Sequence, residues 1–146
     1  GGIGDGRAMA AMLSLGAQGI NMGTAFMCTV EAPIHPRVKQ ALVDASERDT
    51  NLIFRTMRNT SRVLKNTVSD QVVALEKGGA QFEEVRHLVA GARGKVAVRT
   101  GDLDAGIVSA GMVVGLIDDI PTCAQLIDRI VRECRQCLHA ASAMMA

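Results

Sequence analysis

Gly1-Gly2-Ile3-Gly4-Asp5-Gly6-Arg7, then the alanine- and methionine-rich run Ala8 to Leu15, then Gly19-Ile20-Asn21-Met22-Gly23-Thr24-Ala25-Phe26, is the stretch on which the fold turns. One glycine turn opens a helix and the other closes a short extended run. In an α/β layer where that helix and that run are neighbours, both turns offer backbone N–H groups to one anion. Glycine serves here because a Cβ would keep the backbone away from a phosphate, and a helix starting near Asp5 adds its unpaired N–H groups and dipole. The dinucleotide fingerprint fits poorly, since Arg7 stands where it wants glycine or alanine and no strand precedes the loop.

Around this stretch the chain reads as 146 residues with 48% hydrophobic content, enough for one ordinary core. Sixteen Lys and Arg against fifteen Asp and Glu leave a net charge of +1, so no bulk field favours nucleic acid or an anionic membrane. Only Phe26, Phe54 and Phe82 are aromatic, which argues against a stacking platform for bases or sugars. The nearly uncharged run Ala105 to Ile117 is too short to span a bilayer. No signal-peptide pattern opens the chain, and Cys28, Cys123, Cys134 and Cys137 are too few and too unevenly placed for a secreted disulfide scaffold. A reducing cytoplasm is the expectation.

Further along, the spacing predicts a helix from Asp5 to Gly16, then a strand at Ile20 to Met22 ending at Gly23-Thr24. A proline-broken loop from Cys28 to Pro36 follows, and then a helix that starts with Pro36 at its first position. Arg55, Arg58, Arg62 and Lys65 would form a basic stripe on a helix, but Thr50, Ile53, Phe54, Thr56, Thr60 and Val63 favour two extended segments joined by a turn. That basic set reads as a solvated or internally paired face, with an anion such as a nicotinamide dinucleotide phosphate as the alternative. Ser69 or Asp70 is the expected cap of a helix running to Glu76, with another from Phe82 to Ala90. Gly91 to Gly101 reads as a polar, glycine-punctuated stretch and Gly111 to Ile117 as helical. A final helix follows Thr122 to about Ala141. Cys134-x-x-Cys137 lies inside that last helix with no second Cys/His pair, so it reads as structural cysteine and no metal site is expected. The composition shifts near residue 50, dividing the chain into an α/β segment at 1–50 and a mainly helical segment at 51–146.

The loop G-G-I-x-D-G-R, the helix after it and the strand ending M-G-T-x-F resemble the last βαβ segment of FMN-binding (β/α)₈ barrels, whose final loops hold the cofactor phosphate. Three further blocks narrow the likeness: Glu31-Ala32-Pro33-Ile34-His35-Pro36, Arg58-Asn59-Thr60-x-Arg62-Val63, and the run from Gly106 through Ser109-Ala110-Gly111-Met112 to Ile117. With these the chain resembles, along essentially its whole length, the C-terminal part of the nitronate monooxygenase family, historically the 2-nitropropane dioxygenases. The likeness includes that family's branch of FMN-dependent NADH:quinone reductases. The glycine loops alone would also suit enoyl-acyl-carrier reductases of the flavin type.

The resemblance implies the C-terminal portion of an FMN-binding (β/α)₈ TIM barrel followed by a mainly helical cap. It implies non-covalent FMN with Gly1, Gly2, Met22, Gly23 and Thr24 at its phosphate, and Ser109 as a polar contact on the substrate side. The substrate would be a small molecule, a nitronate with O2 or a quinone with NADH. The family's proton-abstracting histidine belongs to a Gly-Gly-His block that does not occur here, so no catalytic residue is expected within the chain and the base is expected upstream of Gly1. On that reading the isolated chain is inactive. The contrasting reading is a non-catalytic fragment with an open barrel edge that a partner or self-association, as in a homo-oligomer, would bury.

Overall fold

Asp5 starts the first helix by the means the sequence suggests. Its carboxylate accepts the Ala8 N–H, and α1 runs Gly6–Ser14 before the chain turns away through Gly16 at φ +94°. The computed structural model describes residues 1–145. Seven α-helices, two β-strands and two 3₁₀ turns make up the described residues.

Ile20 to Met22 is not a strand of any sheet, contrary to the sequence reading. No described residue pairs with its backbone, and the only sheet among the described residues lies elsewhere. Strand character alone forms no ladder, because a ladder needs a neighbour to accept and donate. The short helix α2 (Thr24–Met27) follows at once, where the sequence suggests only the end of a strand.

The loop Cys28 to His35 is irregular, as its prolines require, and is held from within. Lys39 is 6% exposed, and its Nζ donates to the Thr29 and Val30 carbonyls at 2.6 and 3.1 Å. Helix α3 (Pro36–Val43) starts with proline at its first turn, and His35 caps it by accepting the Arg37 N–H on Nδ1. The His35 ring fills the place a Cβ on Gly101 would take, and Gly101 sits at φ +76°. His35 therefore anchors this loop.

Strands β1 (Thr50–Ile53) and β2 (Ser61–Leu64) pair antiparallel with Thr50 opposite Leu64 and Ile53 opposite Ser61. The expectation of two extended segments joined by a turn holds. The hairpin also breaks up the basic stripe: Arg62 donates from Nη1 to Thr50 Oγ1 at 2.9 Å, while Arg55 and Arg58 lie in the connecting turn. Helix α4 (Thr67–Lys77) is capped by Asn66 and not by Ser69 or Asp70. Ser69 instead closes the reciprocal box, its hydroxyl accepting the Asn66 N–H at 2.9 Å. Helix α5 (Phe82–Val89) matches its expected bounds to within a residue.

Gly91 to Gly101 differs from the sequence reading, forming helix α6 (Gly91–Thr100). Gly94 within it is a packing choice, since a Cβ there would meet the Ile107 carbonyl oxygen at 2.8 Å. The region after it holds 3₁₀ helical turns at Leu103–Ala105 and at Met112–Leu116, the second being the helical stretch expected over 111–117 in its tighter form. Between them Ser109 bridges to Val63, which adds a short third edge to the hairpin.

Helix α7 (Cys123–Ala143) is capped by Thr122 and from outside by Glu31, whose two oxygens accept the Cys123 N–H at 3.0 and 2.9 Å. That backbone bond is the main reason the Glu31 carboxyl lies below the ordinary carboxylate range. Arg129 grips Asp119 in a two-bond fork at 2.8 and 2.9 Å, fixing the Asp118-to-Pro121 interruption against the helix.

Three buried clusters hold these parts together. Val38, Leu42, Leu64, Ala97, Val108 and Val114 join α3, β2, α6 and the 108–114 segment. Ile53, Val63, Val72, Val85 and Leu88 join the hairpin to α4 and α5. Ala25, Leu126 and Ile130, with Met9, Ile20 and Met22 against them, join α1, α2 and α7. Cys28 is fully buried, and burial pushes its thiol up to about 11, outweighing the nearby Lys39 ammonium. Cys134 is buried as well, whereas Cys123 and Cys137 are half-buried. Iodoacetamide at mildly alkaline pH should therefore label Cys123 and Cys137 and spare Cys28 and Cys134 until the chain is unfolded. Equal labelling of all four in the folded chain would contradict this packing.

Candidate functional site

Gly1 and Gly2 are exposed, with Gly2 at φ +78°, and no atom lies within 4 Å of where a Cβ on either would sit. Gly4, two residues on, is not open: a Cβ there would overlap the Val113 side chain and touch Leu116. The first glycine turn thus leans on the Met112–Leu116 turn and leaves its leading edge free.

The second turn rests on the same support. Gly23 caps α2 with no side-chain bond, has open space at its Cβ position, and hands over to Thr24, whose Oγ1 accepts the Gly111 N–H at 3.0 Å. The backbone N–H groups of Thr24, Ala25 and Phe26 find no acceptor among the described residues. Met22 is half-buried against the Ala25, Leu126 and Ile130 cluster, which fixes the turn from below. Ser109 is exposed, and its segment is held by the Leu64 N–H donating to Val108 O at 2.8 Å and the Ala110 N–H donating to Arg62 O at 3.3 Å.

The sequence-predicted residues therefore gather around one element. Both glycine turns and the Ser109 segment meet at residues 111–116, though no bond links the two turns directly. One expectation is corrected. The α1 N-terminus does not offer free N–H groups, because Asp5 takes the Ala8 N–H at 2.8 Å and Glu133 of α7 takes the Gly6 N–H at 3.0 Å. Two carboxylates already occupy the end of that helix. Burial raises the Asp5 carboxyl, but the Ala8 N–H and the Arg7 guanidinium at 2.9 Å outweigh it and hold the group below its ordinary value. Asp5 stays ionised at neutral pH and repels a second anion. The donors at α2 and the Gly111 link escape a reading by motif, since only the fold shows which N–H groups remain unpaired.

The residues present suit a phosphate at the second turn: three unpaired N–H groups, a hydroxyl whose oxygen is already engaged so that its proton is free to donate, and glycine where a side chain would intrude. His35 is committed to its loop, while His87 on α5 and His139 on α7 are exposed. No group of three or more metal-ligating side chains occurs among the described residues, and no helix there is long and apolar enough to cross a membrane.

The nitronate monooxygenase family profile matches residues 1–133. A Rhodococcus jostii protein named as a (3aS,4S,5R,7aS)-5-hydroxy-7a-methyl-1-oxo-octahydro-1H-indene-4-carboxyl-CoA dehydrogenase is 30% identical over all of this chain and 52% of its own length. The nitronate monooxygenase of Paraburkholderia phytofirmans is 30% identical over 95% of this chain and 38% of its own. Among solved structures, FabK from Thermotoga maritima superposes with a TM-score of 0.90 at 33% identity, covering 99% of this chain and 45% of that one. The chain spans about half or less of the length of these relatives. Its fold is that of the C-terminal portion of an FMN-binding (β/α)₈ barrel with a mainly helical region after it. The chain belongs to the nitronate monooxygenase family of flavin-dependent oxidoreductases.

Proposed function

We propose that the chain supplies the phosphate-holding end of an FMN site in an oxidoreductase that acts on alkyl nitronates or nitroalkanes with O2. The observation that carries this is the second turn, where Gly23 is open and the Thr24, Ala25 and Phe26 N–H groups stand unpaired within a family match over residues 1–133. Bound FMN supplies the redox chemistry. In this reading Gly1, Gly2 and Gly23 let the backbone approach the phosphate. Thr24 donates its hydroxyl proton to it, Met22 holds the turn on the core, and Ser109 offers a hydroxyl on the substrate side. We read Ser109 as a polar contact and not a nucleophile, since none of the three histidines lies in a sequence motif that would supply its base. We assign the proton-abstracting base to none of His35, His87 and His139.

Gly23→Val tests the cradle. A Cβ there meets nothing of the protein within 4 Å, so the fold should hold, while FMN affinity should fall roughly tenfold, the effect of losing ~1.4 kcal/mol of phosphate contact. Riboflavin, which lacks the phosphate, should bind wild type and variant alike. Fluorescence titration reads both, and unchanged FMN affinity would remove the assignment.

A second reading has one observation in its favour: the Rhodococcus jostii hydroxy-indene-carboxyl-CoA dehydrogenase matches all of the chain at the same identity as the nitronate monooxygenase. Oxygen-dependent turnover of a nitronate supports the first reading, and oxidation of a CoA thioester supports the second. NADH-dependent quinone reduction would move the chain to the sister branch.

A further inference from the structure

The segment that carries Ser109 is gripped on two sides. On one side β2 holds it through Leu64 N–H to Val108 O, Ala110 N–H to Arg62 O and the Val63 bridge to Ser109. On the other side the next residue, Gly111, donates its N–H to Thr24 Oγ1 at 3.0 Å, across 87 positions of sequence. We propose that Thr24 and the Gly111 N–H form a positioning link, through which an anion bound at the Gly23-to-Phe26 turn fixes the backbone of the Ser109 segment on the substrate side. This rests on the phosphate reading of that turn.

The physical reason lies in the hydroxyl. Thr24 has one proton to give and its oxygen already accepts from Gly111, so an anion at the turn takes the proton. A hydroxyl that donates to an anion becomes a better acceptor, because hydrogen bonds in a chain polarise one another. The Gly111 N–H bond therefore tightens when the anion arrives, and Ser109, two residues away and pinned on its other flank, loses freedom. Thr24 suits the task because its branched Cβ leaves the hydroxyl few rotamers. Without an anion the hydroxyl proton has no fixed acceptor, and the Gly111 bond is made to an unpolarised oxygen.

Gly111 itself allows a clean test. Its φ of −85° and ψ of 165° are open to other residues, and a Cβ there would sit 3.6 Å from both Thr24 Oγ1 and the Val113 side chain, an ordinary contact. Gly111→Ala keeps the N–H, and Gly111→Pro removes it, its ring Cδ standing where the amide hydrogen met Thr24 Oγ1 and pushing that hydroxyl aside. The readout is amide hydrogen exchange of the purified protein with and without saturating FMN, following residues 22–26 and the amides of Ala110 and Met112.

In wild type and Gly111→Ala, FMN should slow exchange at both places, at Ala110 and Met112 by about 1.5-fold, the strengthening expected when one existing hydrogen bond is polarised by its neighbour. In Gly111→Pro the protection at 22–26 should remain and that at Ala110 and Met112 should vanish. Thr24→Ser, which keeps the acceptor, should behave as wild type, and Thr24→Val should lose the distant protection; this pair decides the matter if the proline variant misfolds. Protection at 22–26 without any at Ala110 and Met112 in wild type would overturn the link alone. Protection at neither place would overturn the phosphate reading beneath it.

Discussion

Replacing Gly6 with alanine should destabilise the chain by about 3 kcal/mol, the upper part of the range for forcing an extra methyl into a packed interior. Gly6 is buried in the first turn of α1, where that helix crosses α7. A Cβ there would overlap the Glu133 Cβ and lie 2.5 Å from both the Cys134 nitrogen and the Ile130 carbonyl oxygen. Two of these three are backbone atoms inside a helix, which no rotamer change can move aside. Either α1 lifts from α7 or α7 bends, and in both cases the Gly6 N–H loses its bond to Glu133. Urea unfolding of Gly6→Ala beside Gly23→Ala makes the comparison fair, because the second glycine has open space at its Cβ position. Equal midpoints for the two variants would mean that the helices are not in the contact described.

Lys39→Met is expected to cost about 2 kcal/mol, for a different reason. The lysine stem fills space that methionine also fills, so packing changes little. What disappears is the shorter of two bonds to the Thr29 carbonyl and the only donor shown for the Val30 carbonyl, which Lys39 Nζ meets at 2.6 and 3.1 Å in a position 6% exposed. A buried acceptor left without a partner costs about 1–3 kcal/mol; the Val30 carbonyl is left so, while the Thr29 carbonyl keeps the Ala32 N–H at 3.3 Å. The same loop carries Glu31, which caps α7, so the damage should spread to that helix. A fall in Tm of about 6 °C is expected for a chain of this size. A Met variant as stable as the parent would show that solvent reaches those carbonyls.

Much of the fold was legible because local chemistry decided it. Asp5 and Thr122 before apolar runs, proline opening α3, and β-branched residues flanking the Asn59-Thr60 turn all mark structures that form within a few residues of the signal. The misreadings share another cause. Gly94 looked like a loop residue but sits in a helix because the Ile107 carbonyl comes close, and Gly115 lies against the Glu47 backbone where a Cβ would stand 2.9 Å from its nitrogen. Such glycines serve a neighbour distant in sequence, which periodicity cannot show. The candidate site divides in the same way. Its glycines and Thr24 are visible in the motif, but Glu133 closing the α1 end and Gly111 engaging Thr24 depend on contacts across 127 and 87 positions.

The crossing of α1 on α7 also sets the order of events when the chain is made. Gly6 leaves the ribosome well over a hundred residues before Glu133 does, and at ordinary elongation rates that interval is on the order of 10 s. Throughout it α1 has its Asp5 cap but no surface on which to bury Ala10, and the Ala25 cluster lacks Leu126 and Ile130. The hairpin with α4 and α5 closes on nearby residues and can settle early, whereas the two glycine turns acquire their floor last. The half that holds the proposed cofactor site is thus the half that waits longest, exposed to chaperones and proteases until the final helix arrives.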